Sequence, residues 1–313
     1  MSVSGRVADF RPSTNGFHFD NKFPPGTEFT VDIPVVGTVA ADAHGGICGG
    51  FVFAALDLFH HQPRLGPTSQ TADLTPNTPL YAYLTSRFDD SFGKPPGYDN
   101  GVKAFAWTQT PDHDVLIPIE GPGLARRMVE QEWPAIRADI DAGNPSPLYL
   151  VMGPQSGVGD IPGIKDALSH SHQVIAYAYS LDDAGNLTLS VYDCNDHDDD
   201  SSTISLNIAN PAHTITISAP QIQSRFIDPH PIRGIFRSDY SSSDPTRRDV
   251  NFPVLGAPSP PPPPPPPPEC AALANELREL QTQLHHAAGQ QKISILEQIA
   301  DVEAQMRQLG CPR

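Results

Sequence analysis

Pro260–Pro268 is an unbroken proline run, and it limits what this chain can fold into more than any other stretch. Each ring fixes φ near −65° and removes a backbone donor, so neither a helix nor a sheet strand can pass through it. Such a run adopts polyproline II at about 3.1 Å per residue, which makes a stiff spacer of roughly 28 Å. A proline-rich segment can also seat in an aromatic-lined groove. The spacer reading is preferred here because helical pattern follows directly on its far side. The chain therefore divides into residues 1–256, a linker at 257–268 and a segment at 269–313. Much of the excess among the 35 prolines lies in this run, so the remainder, in a chain 38% hydrophobic, can still form a core.

The segment after the run has coiled-coil periodicity. Leu273, Leu277, Leu280 and Leu284 step by four, three and four. Ile295, Ile299, Val302, Met306 and Leu309 continue the pattern after a break at Ala287–Gln290. Two apolar seams joined by a short break predict an antiparallel helical hairpin, with Gly310 as its final cap. Folding back at residue 290 brings Cys270 opposite Cys311, and a disulfide across the open end is expected. It would close a loop of about 40 residues, worth roughly 3–4 kcal/mol in the chain-entropy model. The alternative is a pair of free thiols on an exposed hairpin. A disulfide implies an oxidising compartment, yet Met1–Arg6 lacks the charged and apolar regions of a signal peptide. The expectation is a cytoplasmic protein, or one exported by a non-classical route if Cys270 and Cys311 are joined.

In the first segment the informative stretch runs from Gly45 to Phe59. A glycine-rich turn leads into a helix that is apolar on nearly every side, with Cys48 at the joint. An all-apolar helix is a core helix. A thiol at its start feels the positive end of the helix dipole, which favours the nucleophilic thiolate. The plainer reading of Cys48 is a small buried hydrophobe. Further on, Thr27–Val39 holds short β-type runs, Pro79–Phe88 a short helix, and residues 89–120 mostly turns. Gly123–Gly143 is helical, with a kink or a division into two helices expected at Pro134. Leu148–Met152 is a buried strand, and residues 153–168 are a loop. His172–Tyr179 and Leu187–Tyr192 form a hairpin around Gly185, with further strands at 203–208, 213–218 and 232–240.

Cys48 at a helix start, His172 at the head of a strand, and Asp193 or Asn195 after the return strand make an order of cysteine, histidine, then carboxylate or amide. Those groups suffice for acyl transfer: thiolate attack, imidazole proton transfer, and a third group that orients the ring. Counting back from the turn places Asn195 nearer His172, and a bulge in the hairpin would restore Asp193. His170 is a weaker candidate because the apolar strand starts after His172.

Gly46-Ile47-Cys48-Gly49-Gly50-Phe51, His172-Gln173-Val174-Ile175-Ala176-Tyr177 and Tyr192-Asp193-Cys194-Asn195 resemble the nucleophile, histidine and third-residue segments of papain-like cysteine peptidases. The nearest branch is that of the bacteriocin-leader peptidases, in which the third residue is Asp. The resemblance spans about residues 15–250. It implies an α+β fold, a helical half carrying Cys48 packed on a twisted antiparallel sheet carrying His172, and a catalytic set of Cys48, His172 and Asp193. The family's oxyanion glutamine sits six residues before the cysteine. Here that position is Asp42, a poor donor when ionised, so His44 or backbone amides would have to serve.

Other features weigh less. His60-His61 suits a helix C-terminus, and metal binding there is not expected. Asp196–Asp200 offers oxygen ligands but not the spacing of a calcium loop, so a solvated loop is expected. Cys194 is expected to pack rather than to act as a redox partner of Cys48. A net charge of −16 disfavours nucleic acid and anionic membranes, no stretch is long enough to span a bilayer, and no cofactor is expected. The leading function is a cysteine hydrolase acting on a peptide or protein. The alternatives are an inactive papain-fold binding module, or an interaction protein whose hairpin mediates docking or self-association.

Overall fold

The computed structural model of the chain describes residues 2–23, 28–33, 37–42, 46–61, 78–93, 99–114, 121–157, 160–226, 229–247, 270–286 and 290–308. The architecture is mixed helix and strand around a curled antiparallel sheet. Its main path runs β7 (Thr203–Asn207), β6 (Asn186–Tyr192), β5 (His172–Leu181), β4 (Ser146–Met152), β8 (Ile232–Arg237). The sixth strand, β1 (Val3–Arg6), also pairs with β5.

β5 organises this sheet. Its first half pairs with β4, with Leu150 opposite His172. Its second half pairs on the same edge with β1, with Gly5 opposite Tyr179. Strand length makes this possible: two short partners share one ten-residue edge. On the other edge β6 returns from a turn in which Gly185 has φ +82° and Asp182 accepts the N–H groups of Ala184 and Asn186. The β5–β6 register shifts between Ala176 and Ala178. This is the bulge that the hairpin needs to return Asp193 toward His172. β4 is buried along its whole length, as expected for a strand with neighbours on both edges and helices on its faces.

The helix at Cys48 is α2 in chain order, after α1 (Pro12–Asn15) and a separate two-stranded sheet of β2 (Glu28–Ile33) and β3 (Gly37–Asp42). α2 (Cys48–His61) is the core helix that its composition demands: Gly49 through Leu58 are all buried. Phe51 meets Phe17, Phe19 and Phe23 edge-on, which fixes the irregular N-terminal segment against it. α3 (Pro79–Ser91) starts on a Thr78 cap and packs along α2. The one carboxylate inside α2, Asp57, is fully buried and fully engaged. It pairs with Arg87 Nε at 2.7 Å and accepts from the hydroxyls of Tyr83 and Tyr240 and from the Ser243 N–H. A buried charge is tolerated when it is paired and hydrogen-bonded in this way.

Three local expectations differ from the structure. The turn-rich stretch contains α4 (Asp99–Gln109), and the loop at 153–168 contains α7 (Ile161–His170). Gly101, Lys94–Gly97, Gly153 and Gly163 hid these helices, which tertiary burial of Val102, Phe105 and Ile164 rescues. Gly123–Gly143, by contrast, divides into two helices as expected: α5 (Leu124–Arg127) and α6 (Trp133–Asp141) are joined by one π turn at Met128–Glu132. Pro134 therefore sits in a first turn, where its missing N–H costs nothing. Residues 213–218 form no strand; one bridge, Ser205 to Ser218, is all that pairs them. α8 (Pro220–Gln223) follows directly.

α9 (Cys270–His286) and α10 (Gln290–Gln308) pack through Leu280, Ile295, Ile299, Val302 and Met306, the residues of the two periodic seams. Leu296, off that seam, is 1% exposed against Val102, Phe105 and Ile164 of α4 and α7. α10 is thus in contact with the body of the protein. Cys270 is disulfide-bonded, while Cys311 lies outside the described residues. No helix is long and apolar enough to cross a membrane.

Candidate active site

The segment before α2 is built for close approach. Gly46 has φ +90°, and a Cβ on it would lie 2.6 Å from Asn21 Nδ2. Asn21 is buried, and its Oδ1 accepts the Ile47 N–H at 2.8 Å. The Ile47 carbonyl accepts from Gly50 and Phe51, which starts the helix. Gly50 has no room for a side chain because a Cβ would stand 2.2 Å from the Leu84 carbonyl oxygen of α3. The repeated glycines around Cys48 thus let α3 and β5 close on the first turn of α2.

Cys48 is half-buried and is a free thiol at that first turn. The first N–H groups of a helix have no partner within it and carry partial positive charge. His172 opens β5, is 2% exposed, and lies edge-on to Phe226 with ring centroids 5.5 Å apart. Its Nε2 is 2.8 Å from Asp193 Oδ1, and Cys48 is close enough to act on the ring. Burial works against a charged ring, but the charges of Asp193 and Cys48 and their hydrogen bonds outweigh it. The His172 pKa is pushed up to about 10. At neutral pH this histidine is an imidazolium held between a carboxylate and a thiol.

Of the two candidates for third residue, Asp193 is the one that touches His172. It is 1% exposed, just past the end of β6, and its Oδ1 also accepts the Asn195 N–H at 3.0 Å. Asn195 turns away and accepts from Asn21 Nδ2 at 3.2 Å. Asn21 therefore ties the start of the nucleophile helix to the turn carrying Asp193. Residue order carried no signal for it, because it lies far upstream in an irregular segment. Gln173 and Ser91, hydrogen-bonded at 3.0 Å beneath Gly49, are likewise visible only in three dimensions.

Cys194 is fully buried, as a packing residue should be, but it packs at the site itself. Burial, then the charges of Asp193 and Cys48, hold its thiol well above the usual range. His170 bonds the Asp166 carbonyl at 2.8 Å and stacks on His230, away from this set. Asp42 ends β3 opposite Glu28, and His44 lies outside the described residues. His61 bonds Ser242 at 2.9 Å at the C-terminus of α2. The acidic loop is not simply solvated. Asp196 pairs with Arg225, His197 with Asp20 at 2.7 Å, Asp198 with His18 at 2.6 Å, and Asp200 accepts from Ser13 at 2.8 Å. His197, Asp198 and Asp200 thereby hold the N-terminal segment, which carries Asn21, in place.

No protein-family model, curated protein sequence or solved structure matches this chain. The functional reading therefore rests on the geometry of the site.

Proposed function

We propose that the protein is a cysteine hydrolase of papain-like type, cleaving peptide or related amide bonds in a peptide or protein substrate. One observation carries the reading: a buried His172 whose ring is hydrogen-bonded to Asp193 and lies near enough to Cys48 to interact with it. The Cys48 thiolate attacks the substrate carbonyl carbon, and the C=O electron pair moves onto oxygen. The first-turn N–H groups of α2 favour that oxyanion. Collapse of the tetrahedral adduct breaks the C–N bond while His172 gives its proton to the departing amine. Water, deprotonated by the now neutral His172, then hydrolyses the Cys48 thioester and restores the thiol pair. Asp193 holds the ring's orientation and stabilises its charged form. The helical half with Cys48, packed on an antiparallel sheet with His172, supports a papain-like arrangement. The two C-terminal helices support a hairpin appended to it.

The test is iodoacetamide labelling of Cys48 near neutral pH. Labelling should outpace that of a free thiol and fall at least about 10²-fold in His172→Ala. A Cys48 that labels at the rate of a model thiol, unchanged by His172→Ala, would sink the hydrolase reading and leave a binding module.

A further inference from the structure

A second chemistry is written into the same corner of the fold. Donor atoms of His172, Asp193 and Cys194 all lie within 4.8 Å of one another, and all three side chains are at most 2% exposed. Among the described residues no other set of three such side chains converges. Independently, Asp193 Oδ2 is buried and has no hydrogen-bond partner. A buried carboxylate oxygen without a donor is unfavourable, so this atom has an unmet demand for a positive ligand. The hydrolase mechanism does not use it: Oδ1 alone meets His172.

We propose that His172, Asp193 and Cys194 form a Zn²⁺ site, with the fourth position left to water or to the Cys48 thiol. The donor set is nitrogen, oxygen and sulfur, which suits a borderline-soft ion rather than Ca²⁺ or Mg²⁺, both of which require oxygen. Bonds of about 2.0–2.3 Å in a tetrahedron put donor atoms about 3.3–3.8 Å apart. The widest separation here therefore closes with side-chain shifts of about 1 Å. The His172–Asp193 pair opens by about 0.5 Å as the metal replaces its shared proton, and a small rotation of the Asp193 carboxyl brings Oδ2 onto the metal. Cys194 must lose its thiol proton and His172 its Nε2 proton, and both go to solvent. Access runs past Cys48, the one half-exposed member of the group. Zinc on Nε2 keeps His172 from taking up the Cys48 proton as an imidazolium, so the site is a reversible off-switch. That last consequence rests on the hydrolase reading; the binding itself does not.

The experiment is equilibrium dialysis of the full chain against Zn²⁺, alongside Co²⁺ absorption. One Zn²⁺ should bind per wild-type chain, and binding should persist in Cys48→Ser. Affinity should drop about tenfold or more in Cys194→Ser and in Asp193→Asn, and stay unchanged in His170→Ala, which removes a surface histidine. In a Cys48→Ser background, Co²⁺ should give a thiolate-to-metal charge-transfer band that disappears when Cys194→Ser is added. Wild-type affinity in Cys194→Ser would overturn the proposal, as would a Co²⁺ complex of Cys48→Ser without the thiolate band. The two readings fail separately. A chain that binds Zn²⁺ but whose Cys48 labels slowly loses the hydrolase, and one that labels fast but ignores Zn²⁺ loses the metal site.

Discussion

At the scale of single residues, Asp193 governs the site through His172. Its charge is the first of the favourable influences that raise the His172 pKa to about 10 against the penalty of burial. Asp193→Asn should bring the histidine's titration down toward the ordinary 6.5, read as the midpoint of the His172 ring resonances in an NMR pH profile. An unmoved profile would mean that Asp193 does not control the ring. The same shift links to stability. Folded His172 holds its proton more tightly than the unfolded chain does, so its contribution is complete below 6.5 and is lost as pH rises through about 10. Urea midpoints should therefore fall between those limits, and the fall should be shallower in His172→Gln. Equal slopes in the two proteins would refute the linkage.

At the scale of elements, α2 and α3 are in backbone contact at Gly50. A methyl group there meets the Leu84 carbonyl oxygen at 2.2 Å, and a backbone atom cannot swing aside as a side-chain tip can. Gly50→Ala should destabilise the fold by about 1–3 kcal/mol, the usual range for overpacking, and should lower the Tm of the folded domain. A Tm equal to that of the wild type would show that the two helices can separate without loss. The β5–β6 hairpin works in the opposite sense. Its one-residue bulge at Tyr177 shifts the pairing by one residue in the direction of Asp193, and the chain then turns, with the Asp196 N–H bonded to the Asp193 carbonyl, while the Asp193 side chain meets His172. The periodicity of residues 172–192 marks both strands, but it cannot count an inserted residue, because alternation reads the same on either side of the slip.

At the scale of the whole molecule, the C-terminal helices are fastened to the body through Leu296 against Val102, Phe105 and Ile164. Asp301 is drawn into the same contact. Burial raises its pKa, and the charges of Arg127 and Lys103 work the other way. Leu296→Ala should weaken this docking by about 2–5 kcal/mol, as large-to-small changes in a core do. Limited proteolysis should then cleave α10 faster, while Cys48 labelling stays as in the wild type. Unchanged protection would mean that the contact contributes little to holding α10. A stiff proline run alone suggested a hairpin held away from the domain; side-chain burial across the contact decides otherwise.

Local chemistry in the sequence sufficed for several parts of this protein. Apolar saturation marked α2 as a core helix, and alternation marked β5 and β6. The order of Cys48, His172 and then Asp193 or Asn195 followed from residue types at the ends of those elements. All of these depend on a few neighbours along the chain, which is why they are legible in one dimension. Tertiary structure alone decided which carboxyl or amide reaches His172, that Asn21 holds the start of α2, that α4 and α7 are helices, and that Cys194 joins the site. Each of those depends on atoms brought together from distant segments by burial, and no spacing along the chain encodes such a meeting.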